Sequence, residues 1–179
     1  MRIVAIADDN IKALEGLPDS TDIIVSLGNL WDNTILEVAK QTKAQKVFAL
    51  KGDCDSNADF PPHFINMHRR AVKYGKWTFG GLEGSWKCKE QGHHLYSQEE
   101  ADLLMDEFPT VDIFFAHNSP AGVHEQDTET HQGFSAFNKH VERTKPYLFL
   151  HGHQHIAQNS HVVDTEVIGV FGNAVIELE

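Results

Sequence analysis

A chain of 179 residues is long enough to bury a sizeable core, and 41% hydrophobic with 23% charged residues is the balance of a globular protein rather than a disordered or fibrous one. With 26 acidic against 15 basic residues the net charge is −11, which opposes nucleic acid and anionic membrane unless bound cations supply a local positive patch. No run approaches the ~18 apolar residues of a membrane span. The opening run IVAIA is too short for a signal peptide and acidic residues follow at once, so a cytoplasmic, reducing setting is expected. Two cysteines, Cys54 and Cys88, make no disulfide framework and leave a single bridge open.

Residues 2–7 (RIVAIA), 22–28 (DIIVSLG) and 46–52 (KVFALKG) read as buried strands, rich in branched side chains, the last two closed by glycine. Between the second and third, Ile35, Val38, Ala39 and Thr42 recur at i, i+3, i+4 and i+7. That spacing predicts an amphipathic helix and, with its flanking strands, a parallel βαβ unit. Residues 70–83 predict a hairpin turning near Gly75. Ser97 stands three residues before Glu100, a capping box opening a helix whose face runs through Ala101, Leu104, Met105 and Phe108. A strand over 111–117 (VDIFFAH), a helix over 133–145 burying Phe134, Phe137 and Val141, and an apolar strand entering PYLFLHGHQH (146–155) follow. The tail from 161 to 179 alternates in two runs around Gly172, which predicts a closing antiparallel pair. No repeat, low-complexity tract or linker divides the chain, so residues 1–179 are expected to form a single domain.

The polar residues carry the functional signal. The first strand ends at Asp8, the second at Asn29 after Gly28, the third at Asp53 after Gly52, and the later ones at His117 and at His153 with His155. Alone, each is an ordinary cap or loop residue. Together they line the carboxyl edge of an α/β sheet, where ligands bind because loops diverge around a crevice. Two carboxylates, one carboxamide and three imidazoles suit a pair of borderline divalent ions such as manganese, iron or zinc. In GHQH (152–155) two imidazoles at i and i+2 can serve one ion each.

In this order Asp8, GNLWD (28–32), GDCD (52–55), AHNSP (116–120) and GHQH (152–155) resemble the calcineurin-like metallophosphoesterases, whose pattern runs D-x-H, GD-x-x-D, GN-H-D, G-H and G-H-x-H. GLEGSWKCK (81–89) and HEQDTETHQGF (124–134) are similar to a small bacterial branch of that family. The resemblance spans essentially the whole chain. It implies an α/β fold, a four-layer αββα sandwich, and a dinuclear centre of two divalent ions, Mn2+ first with Fe or Zn as alternatives. The implied reaction is hydrolysis of a small phosphorylated substrate, a phosphomonoester or phosphodiester, with nucleic acid disfavoured by the acidic surface.

Carried over by position, Asp8 and His155 would hold one ion, and Asp53, His117 and His153 the other. Asn29 would lie between them, and Asn10 stands where many members place a histidine ligand. Cys54 occupies the place of a histidine that helps protonate the leaving group. A thiol near its reference pKa of about 8.5 is mostly protonated at neutral pH. His131 and His124 are candidates for phosphate contact or proton transfer. Asn29 replaces the usual bridging aspartate and Asp53 the usual asparagine, so the carboxylate count stays at two and Asp53 becomes a candidate for the bridge.

Asp55 is expected to fix its loop, His151 to orient a neighbour, and the His93–His94 pair to lie on the surface. Trp77, Trp86 and Lys87–Lys89 suit the substrate side, although tryptophan suits a core equally well. The retromer scaffold subunit shares the implied fold, so a protein-binding scaffold with a weak or inactive site is the alternative to a hydrolase.

Overall fold

Strand alternation sets the layers in the computed structural model, which describes residues 1–88 and 90–179. In β1 (Arg2–Ala7), Ile3, Ala5 and Ala7 enter one apolar cluster while Val4 and Ile6 enter another on the opposite face. β2 (Ile23–Ser26) and β3 (Lys46–Ala49) follow the same rule; β2 pairs in parallel with β1 on one side and with β3 on the other. β4 (Phe64–Asn66) extends one edge, and β13 (Gly172–Glu177) closes the other antiparallel to β1. The resulting order is β13-β1-β2-β3-β4. Helix α1 (Asp32–Gln41) is the predicted crossover, covering the outer face of this sheet with Ile35 and Val38.

The second sheet contains β5 (Arg70–Tyr74), β6 (Trp77–Leu82), β9 (Ile113–Ala116), β10 (Leu148–His151), β11 (Gln158–Val162) and β12 (Thr165–Gly169). Their order is β11-β12-β10-β9-β6-β5, with the four central strands parallel. Phe79, Ile113, Phe115, Leu148 and Leu150 face the first sheet and form the inter-sheet core with its Ile3, Val25, Leu27 and Phe48. On the other face Phe114, Phe149 and Val167 receive Ala101 and Met105 of α2 (Gln98–Met105) and Phe137 and Val141 of α3 (Ser135–Thr144). Helices, two sheets and helices make the expected four-layer αββα sandwich. The capping box is in place: Ser97 Oγ accepts from the Glu100 amide (3.1 Å) and Glu100 Oε2 from the Ser97 amide (2.8 Å). A two-stranded piece, β7 (Ser85–Trp86) with β8 (Leu95–Tyr96), lies beside the second sheet. No described helix is long and apolar enough to cross a membrane.

The tail departs from its expected pairing. β12 and β13 belong to different sheets, and Gly172 (φ 83°) lies where the chain passes between them. The antiparallel partner of β12 is β11, turning through Val163 and Asp164. β11 (QNSHV) is a polar edge strand with no apolar alternation to read, so the pattern pointed to the wrong neighbour. β4, β7 and β8 are too short for a periodic signal. Trp77 packs against the inter-sheet core and Trp86 against the helical one, and Lys87 is exposed. Lys89 lies outside the described residues.

Phe114 is fully buried, with its ring 5.3 Å from Phe108, 5.6 Å from Phe137 and 5.1 Å from Phe149. Phe114→Ala should cost about 3–5 kcal/mol in urea unfolding, because the surrounding rings relax only partly into the void. A loss below about 1 kcal/mol would mean that the sheet and helices are not packed as described.

Candidate metal centre

The carboxyl ends of β1, β2 and β3 meet those of β9 and β10, and the chain turns sharply at each. Asp8, Asn29, His153 and His155 all hold left-handed backbone, with φ of 65°, 58°, 62° and 50°. That conformation costs a non-glycine residue roughly 1–2 kcal/mol, so its recurrence at one edge marks a place where surrounding structure dictates the geometry. Glycines beside these residues make close approach possible. A Cβ on Gly28 (φ 107°) would stand 2.5 Å from the Gly52 nitrogen and 2.9 Å from His117 Nδ1. One on Gly152 would stand 2.8 Å from Asp8 Oδ2.

At the centre is one oxygen. Asp53 Oδ1 lies 3.1 Å from His117 Nε2 and 3.4 Å from His153 Nδ1. The opposite nitrogen of each ring is already committed: His117 Nδ1 to the Leu27 carbonyl (2.7 Å), His153 Nε2 to the Thr130 carbonyl (2.9 Å). A carbonyl can only accept, so those nitrogens carry the protons. In the neutral rings two lone pairs therefore face one carboxylate oxygen, an arrangement that needs protons or a cation between them. A single dication answers all three groups at once. Atoms about 2.0–2.2 Å from a common ion stand roughly 3.0–3.5 Å apart, which these separations match. Among the described residues this is the group of three whose ligand atoms all lie within 4.8 Å of one another.

Electrostatics agree with the geometry. Burial alone would raise the Asp53 carboxyl, but with protons in place of a cation, hydrogen bonds from His117 and His153, then their charges, hold it far below the usual range. Burial opposes charge on His117, yet the Asp53 hydrogen bond and the nearby Asp8 and Asp53 charges raise its imidazole above its ordinary value. Asp8 is pushed up by burial against the opposing pull of His117 and His155.

The other expected site residues fall into three groups. Asp8 and His155 are close, with Oδ1 3.9 Å from Nε2, beside the three-residue group. Asn29 lies between the two carboxylates as expected, but presents its amide nitrogen, 3.3 Å from Asp8 Oδ1 and 3.1 Å from Asp53 Oδ1. Its oxygen accepts from the Cys54 amide (2.9 Å). Acceptors on one side and a donor on the other fix that orientation, so in this arrangement Asn29 meets both carboxylates as a hydrogen-bond donor. Asn10 turns its oxygen to the start of α1, accepting from the Trp31 amide (3.0 Å) and the Thr34 hydroxyl (2.7 Å). Asp55 Oδ2 accepts from the amides of Asn29 and Gly52, both at 2.8 Å, and so fixes the loop.

Cys54 is exposed, with Sγ 3.9 Å from Asp53 Oδ2. His131 sits at the rim, its ring 5.0 Å from His153 and 5.9 Å from His155, with Nδ1 held by the Thr128 and Thr130 hydroxyls. His124 is instead turned toward His151, Nδ1 to Nε2 at 2.9 Å. Sequence reading overlooked two kinds of participant. The Leu27 and Thr130 carbonyls leave no side-chain signature. Gln154 is fully buried, its Nε2 donating to Ser119 Oγ (3.0 Å) and the His131 carbonyl (2.9 Å), and so ties the GHQH turn to the rim loop. Its place between two histidines facing the cluster was the available clue.

His94 is not a surface residue. Only 11% of its side chain is exposed, and Nδ1 lies 3.0 Å from Oε1 of the buried Glu83 while Nε2 lies 3.3 Å from the Ser56 carbonyl. Tyr96 donates to the same Glu83 oxygen (3.3 Å), and His68 Nδ1 lies 3.7 Å from it. This second polar cluster joins the strap after β6 to the loop carrying Asp53. The Glu83 hydrogen bond, opposed by burial and helped by the Glu83 charge, the Ser56 carbonyl and Asp55, raises the His94 imidazole.

No family model matches the chain, and no curated protein matches it in sequence. Solved structures do match in fold. Protein TT1561 of Thermus thermophilus superposes over 94% of this chain and 88% of its own, at 13% identity and a TM-score of 0.63. Wild-type Vps29 of Entamoeba histolytica, complexed with Zn2+, superposes over 94% of this chain and 73% of its own, at 11% identity and a TM-score of 0.50. The chain has the calcineurin-like metallophosphoesterase fold.

Because His94 is raised above its ordinary value of 6.5, the stability it contributes is complete below that value and lost as pH rises through the folded one. The melting-temperature gap between the parent and His94→Gln should therefore shrink from about pH 6 to about pH 9. An equal gap at both ends would remove the ion-pair assignment.

Proposed function

We propose that the protein is a metal-dependent phosphoesterase acting on a small phosphomonoester or phosphodiester, with Asp53, His117 and His153 holding one divalent ion and Asp8 and His155 a second. The observation that carries this reading is the meeting of two imidazole lone pairs on Asp53 Oδ1, each ring locked from behind by a backbone carbonyl. Mixed carboxylate and imidazole donors favour Mn2+, with Fe and Zn as alternatives. When bound, a pair of such ions supplies Lewis acidity toward phosphoryl oxygens and lowers the pKa of bound water.

The chain's own residues do the rest. Asn29 donates to both carboxylates and keeps them at a set spacing without adding charge. His131, anchored through Nδ1, keeps its Nε2 for a phosphoryl oxygen or a proton in transit. Cys54 borders Asp53 on the exposed side, where a leaving group would depart. The net charge of −11 confines anion attraction to the site itself and favours small phosphate esters over nucleic acid.

Two observations favour a scaffold instead: Asn29 offers N–H groups where a bridging ligand would be expected, and Ile11 (75% exposed) and Trp31 (73%) leave apolar surface on the loops after β1 and β2. A single assay separates the readings. Mn2+-stimulated hydrolysis of p-nitrophenyl phosphate or its bis ester is expected, falling on the order of 100-fold or more in His153→Ala of unchanged circular dichroism. No turnover with Mn2+, Fe2+, Zn2+ or Mg2+ would favour the scaffold.

Asn29 also sets an expectation for metal content. Calorimetry should find the second ion at least about tenfold weaker than the first, a gap that Asn29→Asp narrows by returning a charged oxygen to the centre. Asp53→Asn should weaken both ions. Two ions bound by Asp53→Asn as tightly as by the parent would end the assignment of Asp53 to the centre.

A further inference from the structure

We infer that His124 and His151 are positioning residues that clamp the Gly152–His153 peptide from behind, so that Asp8 and His153 keep the orientation a metal ion requires. The inference rests on the metallophosphoesterase reading for its purpose, but the clamp itself is a property of the chain. The carbonyl of this peptide accepts from His151 Nδ1 at 2.9 Å and from the Gln154 amide at 2.7 Å. The N–H of the same peptide donates to Asp8 Oδ2 at 2.7 Å. One rigid plane is thus gripped at both ends, by the carboxylate after the first strand and by a histidine at the end of β10.

Proton placement follows in sequence. The Gly152 carbonyl has no proton to give, so His151 Nδ1 carries one. His151 is completely buried, which opposes a second proton and leaves Nε2 as a bare acceptor. His124 Nδ1, 2.9 Å away, must therefore be the donor. The two rings lie 5.1 Å apart, and a Cβ on Gly169 would press to 3.1 Å from His124 Nδ1 and 3.2 Å from His151 Cε1. A two-imidazole relay thus runs from the rim loop to the metal turn.

Its use lies in what it frees. Asp8 commits Oδ2 to the peptide and keeps Oδ1 toward His155 and Asn29. His153, held at φ 62°, keeps Nδ1 toward Asp53. Without the relay the Gly152 carbonyl retains only the contact from Gln154 within its own turn, and the left-handed residue loses an external hold. Neither His124 nor His151 belongs to the three-ligand group, so both act through it.

The test compares two substitutions in the full chain. His124→Leu keeps bulk and removes the donor, whereas His124→Asn returns an amide N–H near the place of Nδ1. In metal-free protein, exchange of the His153 amide followed by NMR should quicken about tenfold or more in His124→Leu and stay within about threefold of the parent in His124→Asn. Mn2+ affinity by calorimetry should fall roughly 10- to 100-fold in the first and recover in the second. Parent-like exchange in His124→Leu overturns the clamp, as does equal impairment of the two variants, which would indicate packing alone. Should His124→Leu fail to fold, His124→Ser, which cannot reach His151, takes its place with the same criteria. Should the variants show the expected exchange pattern while the parent binds none of Mn2+, Fe2+ and Zn2+, the clamp stands and the phosphoesterase reading ends.

Discussion

Asp53 Oδ1 facing two imidazole nitrogens is the contact on which the rest of the structure depends. Each ring is anchored on its far side by a carbonyl from a different segment, Leu27 and Thr130, and His117 cannot rotate away without leaving the buried Leu27 acceptor unpaired. Buried polar groups are costly unless their partners are complete, and a carboxylate between two lone pairs is complete only with positive charge present. The three residues follow the ends of β3, β9 and β10, so the contact also draws the two sheets together at one edge.

Much of the loop architecture serves that approach. Gly28, Gly52 and Gly152 stand where a Cβ would strike a neighbouring loop or a site side chain, and the residues after Gly28 and Gly152 hold left-handed backbone. Bracing comes from behind: Asp55 holds the amides of Gly52 and Asn29, Gln154 ties the GHQH turn to the rim, and Asn10 ties the loop after β1 to the start of α1. Asn10 and Asn29 show how one carboxamide can be read in two ways. From the sequence each is a possible oxygen ligand. In the fold the first commits its oxygen to a helix start, and the second turns its nitrogen to the carboxylates because a backbone N–H has claimed the oxygen.

The Glu83 cluster works by the same means away from the centre. A buried carboxylate held by His94 and Tyr96, with His68 accepting from the Glu83 amide, fastens the strap after β6 to the loop that carries Asp53. Histidine enrichment in this chain thus has more than one use, and the Asp53–His117–His153 group accounts for only part of it.

Short-range pattern was enough for β1, α1, the hairpin at Gly75, the capping box at Ser97 and the apolar face of α3, because periodicity and capping act within a few residues. It also marked Asp8, Asn29, Asp53, His117, His153 and His155, since a polar residue at the end of an apolar strand is visible one strand at a time. Three outcomes were decided only by the tertiary structure: which strands pair in the tail, where His94 and His124 point, and which atom of Asn29 meets the carboxylates. Each depends on a partner distant in the chain, and the backbone N–H and C=O groups among those partners have no sequence signature. Hydrogen-bond direction is set by that partner, and it determines whether a polar side chain can be a ligand, a brace or a cap.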